Sequence, residues 1–521
     1  MYINNNEENS AKTIFMGALA LSLATLVVKI LGVVYKVPIF YLLGDEGMGY
    51  FNSAYTIYGF FYILCTAGVP KAVTVLITEA NAKEQYDFSE RIYDVTFRLF
   101  LVVGIAVFTV LALFSRSLSI YFGNSGAAAS LVLIAPSIIF VCISGVLRGY
   151  YNSFSRLGPV AASHIIEAVA KLVLGIAFAY LGVRKNYTIP YISALAVFGI
   201  SMGAALSAVY LIIYRKRIKP AYKTGQKTQF NDFFIIKSVV KIAFPITLAS
   251  SVLSISSLLD LVIIMRGLKR IGYAEALASA TYGNYTTLVV PMLNLVVSLI
   301  TPLAIAALPH LRECHLKKDN LGFVNISENT VRVVALFTVP CAFLFFLYPY
   351  TILDVLFTPI ASVKGAAALS LLSPAVFLLS LLTLYNTFLE AKGMFYVPII
   401  SSAFGTVVKL IISFVFIDEL GIIASPIGSS ASYFVSLLIS SMFFKDGLNR
   451  RLVRCFFYPL IISTLFILIP FYLVFYLEIM PLYRNFELFY ISAFSFLYFI
   501  FAILPIMRLK KTGLICKIKQ K

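Results

Sequence analysis

A small set of ionisable residues stands where hydrocarbon would reject it. Lys29, Lys36, Lys71, Lys171 and Lys409 lie inside apolar runs, as do the acids Glu167 and Asp260. A lysine at the centre of a membrane helix costs ~2.5–3.5 kcal/mol on insertion scales, so such residues persist where a polar or watery interior faces them. Lys29, Lys171 and Lys409 fall near the middle of their runs. Lys29 and Lys36 are seven residues apart, which on a helix puts them on one face about 10 Å apart. An ammonium is a compact point charge suited to phosphate, without the bidentate fork that arginine supplies. Lys71 directly follows Pro70. Asp260, in SSLLDLVII, has no basic residue in the turn before it and is a candidate site for a coupling cation or proton. Glu167 precedes Lys171 by one turn; the two read either as a buried ion pair or, for Glu167, as a second ion-coupling candidate.

The elements that must hold these residues follow from composition. The chain has 521 residues, 60% hydrophobic and 12% charged, with a mean hydropathy of +0.92. Fourteen apolar runs, the first at 14–43 and the last at 486–507, are each long enough to cross about 30 Å of hydrocarbon. The expected fold is therefore all-α and polytopic, with about 14 transmembrane helices. Six cysteines are scattered without a C-x-x-C pair and read as packing residues, implying no metal site and no disulfide framework.

The 42 Lys and Arg outnumber the 23 Asp and Glu, a formal charge of +19. With the N-terminus placed inside, about 25 of the 42 basic residues fall in cytoplasmic segments, as the positive-inside rule requires. Both termini are expected in the cytoplasm of a plasma-membrane protein. The excess charge then reflects topology and attraction to anionic membrane lipid, with no nucleic-acid role. His164, His310 and His315 form no metal-binding helix motif and the acids form no D-D-x-x-D, so no catalytic residues and no metal ligands are expected.

An internal repeat organises the spans. A shift of 238 positions lays the stretch from Ala135 on the stretch from Ser373, so that Pro136 meets Pro374, Ser163 meets Ser401 and Lys171 meets Lys409. Two six-helix lobes in pseudo-two-fold repeat are expected, residues 1–214 and 236–444, joined by a basic cytoplasmic linker at 215–235. Residues 445–521 add two C-terminal helices, at 455–477 and 486–507, and a basic tail. Gly405 stands where Glu167 stands in the first copy, leaving Lys409 without that local acid. The interior balance is cationic. A lysine-lined cavity between the lobes favours an anionic solute, and in a lipid environment a lipid with a phosphate or diphosphate head is a natural candidate.

Two segments carry a further likeness. The stretch from Met16 to Ala80, containing VKILGVVYK and AGVPK, resembles the polysaccharide-exporter and stage V sporulation protein B family of the MATE-like (MOP) flippase superfamily, which includes the lipid II flippases. The stretch from Leu277 to Leu311, with its Tyr-Gly and its Pro-x-x-Asn, is similar to the family's eighth helix. This resemblance implies a flippase that moves a polyprenyl-diphosphate-linked saccharide from the inner to the outer leaflet by alternating access. It needs no cofactor, and is driven by Na+, H+ or the membrane potential. It implies wall-synthesis or polysaccharide glycosyltransferase machinery as partners. Lys29 falls where lipid II flippases carry an arginine and Lys36 near the end of the same motif, so the resemblance makes both head-group ligands. The motif departs from the family's at Lys71, at Val296 in place of a proline, and at Arg312-Glu313-Cys314. A multidrug exporter of the same fold is the alternative, disfavoured by the lysines; a polyprenyl-linked sugar polymerase or transferase lacks its acids.

Overall fold

Long apolar runs in a medium without water must satisfy every backbone amide internally, and the computed structural model shows the outcome. It describes residues 3–217, 231–444 and 455–468, and among these all regular structure is helical. Each expected span from the first to the twelfth falls on a helix or a broken helix pair. The linker's 218–230, most of the last two expected spans and the basic tail lie outside the described residues. Eight helices among the described residues are long and apolar enough to cross a membrane, nine with the bent pair α5–α6.

The chain groups into two compact units, Met1–Thr287 and Leu288–Lys521. The division falls in the eighth expected span, and helices C-terminal to the 215–235 segment pack on the first helix.

The first unit holds α1 (Ile3–Thr66), α2 (Val69–Ala82), α3 (Tyr86–Leu113), α4 (Ser115–Tyr121), α5 (Ala128–Ile134), α6 (Ser137–Ser153), α7 (Leu157–Arg184), α8 (Ile189–Arg217), α9 (Asp232–Arg270) and α10 (Glu275–Asn284). Gly44 divides α1 into two rods: its φ of 66° lies in the left-handed region, which a residue without Cβ enters at little cost. The second rod crosses α10 with backbones in contact. A Cβ at Gly49 would fall on the Ser279 carbonyl, and one at Gly283 would fall on the backbone of Asp45 and Gly49. Polar side chains seal this crossing, with Asn52 Nδ2 donating to Thr287 Oγ1 at 2.7 Å and Thr56 meeting the Tyr282 hydroxyl at 3.1 Å. At the start of α9, Asn231 accepts from the Phe233 amide at 3.1 Å, a side-chain cap that satisfies one orphan donor.

The second unit holds α11 (Val290–Leu316), α12 (Asn320–Leu347), α13 (Pro349–Leu356), α14 (Pro359–Ala391), α15 (Tyr396–Leu420), α16 (Ala424–Met442) and α17 (Phe457–Ser463). Its core runs along α14, where buried residues recur from Ala361 to Ala391. The repeat is visible in the elements. α6 and α14 end at repeat-matched residues, Ser153 and Ala391, and the matched Ser155 and Gly393 both turn the chain with positive φ, 55° and 82°. The matched prolines act differently: α5 and α6 bend by 43° at Pro136, whereas α14 runs through Pro374.

Candidate anion site

Two of the expected lysines come together in the first unit. Lys36, on the first rod of α1, donates from Nζ to the backbone carbonyl of Thr286 at 3.1 Å. Lys171, on α7, sits 5.2 Å from the ring centroids of both Tyr35 and Tyr55. Aromatic faces hold an ammonium by their quadrupole at ~0.5–2 kcal/mol each, without neutralising its charge. Tyr35 is fixed in turn, 2% exposed with its hydroxyl donating to the Ala196 carbonyl at 3.0 Å. Tyr35, one of the two rings over which Lys171 lies, directly precedes Lys36 in α1. Among the described residues no carboxylate lies within ion-pair distance of Lys171. Lys36 and Lys171 are thus two half-buried cations, one on a neutral carbonyl and one between rings.

The acid expected to serve Lys171 is engaged elsewhere. Glu167 Oε2 accepts from Arg148 Nη2 at 2.7 Å, and Arg148 also donates to Ser163 Oγ at 3.0 Å and Ser207 Oγ at 3.1 Å. The Glu167–Lys171 pair is therefore corrected to Glu167–Arg148. The physical reason is the fork: a buried guanidinium serves a carboxylate and two hydroxyls at once, which an ammonium one turn along the same helix cannot. Arg148 is the residue that sequence reasoning missed. It lies near the end of the run at 127–150, where a basic residue reads as a snorkelling terminus, and its partner is 19 positions away on another helix. The second unit solves the same position without charge, because Asn386 and Gly405 occupy the places of Arg148 and Glu167 and Ser440 donates to Ser401 at 3.1 Å.

The remaining candidates are dispersed. Lys29 is exposed on the first rod of α1, and Lys71 is exposed in the first turn of α2. Lys409 is half-buried on α15, where a Cβ at Gly428 of α16 would meet its carbonyl; Gly203 of α8 approaches the Lys171 backbone in the same way. Asp260 is partly buried on α9. No cluster of three or more His, Cys, Asp and Glu side chains able to hold a metal occurs among the described residues.

Residues 14–315 match the family described as polysaccharide biosynthesis protein. The chain belongs to this family. The matched family segment contains Lys29, Lys36, Lys71, Lys171 and Asp260, while Lys409 lies beyond it. Two curated relatives come from Bacillus subtilis strain 168. Stage V sporulation protein B is 25% identical over 320 residues, 58% of each chain, and lipid II flippase MurJ is 26% identical over 213 residues, 39% of each. The chain thus matches less than two thirds of the length of either relative. Among solved structures, lipid II flippase MurJ in an inward closed conformation superposes with a TM-score of 0.72 at 16% identity, covering 94% of this chain and 99% of that one. An inward-facing multidrug-resistance MATE transporter of the MOP superfamily gives 0.65 at 12% identity, covering 84% and 98%. The fold is that of this superfamily, and the chain is a multi-pass membrane protein.

Proposed function

We propose that this family member is a flippase that carries an anionic polyprenyl-diphosphate-linked saccharide from the inner to the outer leaflet of the plasma membrane by alternating access. The observation that carries the reading is the pair Lys36 and Lys171, two cations held by neutral groups while Glu167, one turn before Lys171, is committed to Arg148. A diphosphate would take both ammonium groups. Lys29, Lys71 and Lys409 are further candidate contacts, and Asp260 is the candidate for coupling to an ion gradient. The names of the relatives support a lipid-linked substrate, and the shared fold supports transport over catalysis. A cationic drug would meet like charge at Lys36 and Lys171.

The test is transport in proteoliposomes with a fluorescent undecaprenyl-diphosphate saccharide. Lys36→Met and Lys171→Met should each slow flipping at least about tenfold, one charge-assisted hydrogen bond's worth, with the protein still monodisperse. Wild-type rates in both would sink the proposal.

A further inference from the structure

Between α10 and α11 the helix widens into a π segment, Tyr285–Val289, and the next turn contains Pro291. A π segment bonds each carbonyl to the amide five residues on, and an α segment to the amide four residues on. Proline has no amide hydrogen. In α register the carbonyl left without a donor by Pro291 is that of Thr287. In π register it is that of Thr286, because the Val290 amide then serves Tyr285. In the α register the sequence thus leaves only the Thr287 carbonyl without a helix amide, and the π segment, which returns to α geometry at Val290, strands the Thr286 carbonyl as well. Lys36 Nζ donates to the one that the π register strands, at 3.1 Å across 250 residues.

From this geometry we infer that Lys36 is a latch that holds the π segment in register, and that an anion bound between Lys36 and Lys171 releases it. The inference rests on the reading of these lysines as head-group ligands. An anion competes with the Thr286 carbonyl for the same ammonium, and without that donor the carbonyl favours the α register, in which the Val290 amide serves it and only Thr287 is left without a helix donor. A change of one residue in register rotates the helix beyond it by about 100° and shifts it by about 1.5 Å. The chain passes from its first compact unit to its second between Thr287 and Leu288, inside this segment. Ligand capture would therefore be transmitted to α11 without any further contact, and Lys36 acts as a positioning residue as well as a ligand.

The experiment is amide hydrogen exchange over residues 284–292 of the full-length protein in detergent, with inorganic pyrophosphate as the probe anion. Without ligand, Lys36→Met should speed exchange in this segment about tenfold, the loss of one hydrogen bond to a charged donor. Adding Pro291→Ala to Lys36→Met should restore slow exchange, because alanine supplies the missing amide; a general packing defect at Lys36 would not be rescued. Unchanged exchange in Lys36→Met, or no rescue by Pro291→Ala, overturns the latch. With saturating pyrophosphate, the wild type should exchange as fast as Lys36→Met, whereas Pro291→Ala should bind pyrophosphate and show no acceleration. Pyrophosphate bound by the wild type with no change in exchange overturns the coupling alone. Failure of the wild type to bind pyrophosphate overturns the head-group reading and the coupling with it, leaving the ligand-free comparison to decide the latch.

Discussion

Arg148 shows how one side chain decides the meaning of several others. By taking Glu167 at 2.7 Å, with the two side chains 10% and 26% exposed, it removes the only acid near Lys171 on its helix and leaves that lysine for the aromatic rings. Breaking a buried pair strands a charge, which costs more than the pair itself contributes. Arg148→Met should therefore lower stability by about 3 kcal/mol, the low end of the range for buried pairs because Glu167 keeps some exposure. Replacing both, as Arg148→Met with Glu167→Met, should recover most of the loss. Thermal unfolding in detergent measures both, and equal losses for the single and double changes would show that the two charges are not coupled. At this scale the sequence was legible in kind and misleading in pairing. Residue types and their place in apolar runs mark Lys29, Lys36, Lys71, Lys171 and Lys409 alike, whereas Lys29 and Lys71 are exposed and the other three partly buried. The i, i+4 spacing of Glu167 and Lys171 suggested a pair, since such residues neighbour one another on a helix. A helix in a bundle has other neighbours, and their side chains cannot be read from its own spacing.

Elements were the most legible level, for a physical reason. Hydrocarbon about 30 Å thick demands runs of about 20 apolar residues, and the helices follow those runs from the first rod of α1 through α16. What the pattern could not show is where helices break or touch. The rod division at Gly44 and the bend at Pro136 lie beside residue types that favour breaks, yet Pro38, Pro245 and Pro374 sit inside continuous helices. Whether a proline bends a helix depends on which neighbours re-satisfy the freed carbonyl. The α1–α10 crossing is a stronger constraint than either break. Gly283→Val should destabilise by about 1–3 kcal/mol or more, because the colliding atoms belong to the backbone of Asp45 and Gly49 and have no rotamer to change. Gly59→Ala, on the same rod with open space around its Cβ position, should be close to neutral. The heat-stable monodisperse fraction of each variant distinguishes these outcomes, and a tolerated Gly283→Val would mean that the two helices separate freely.

Over the whole molecule, the charge pattern predicts orientation, and the repeat shows in matched helix ends and turns. The repeat's low identity concealed how closely its turns agree: Ser155 and Gly393 share a left-handed backbone although their side chains differ. Orientation is checked at tight turns between helices. In a background without cysteine, Glu84→Cys should react with a membrane-impermeant maleimide from the cytoplasmic side, and Asn186→Cys from the outside; the reverse pattern would invert the topology. The Lys36–Thr286 contact has a consequence for biogenesis. Its two ends are 250 residues apart in the chain, and ribosomes add about 5–20 residues per second, so Lys36 leaves the ribosome about 12–50 s before its carbonyl does. Through that interval the first helix carries Lys36 without the π segment, and for about the first half of it without α7. The insertion machinery must shelter the helix beside water until its partners emerge, and a slow step early in synthesis would lengthen that wait for every copy made.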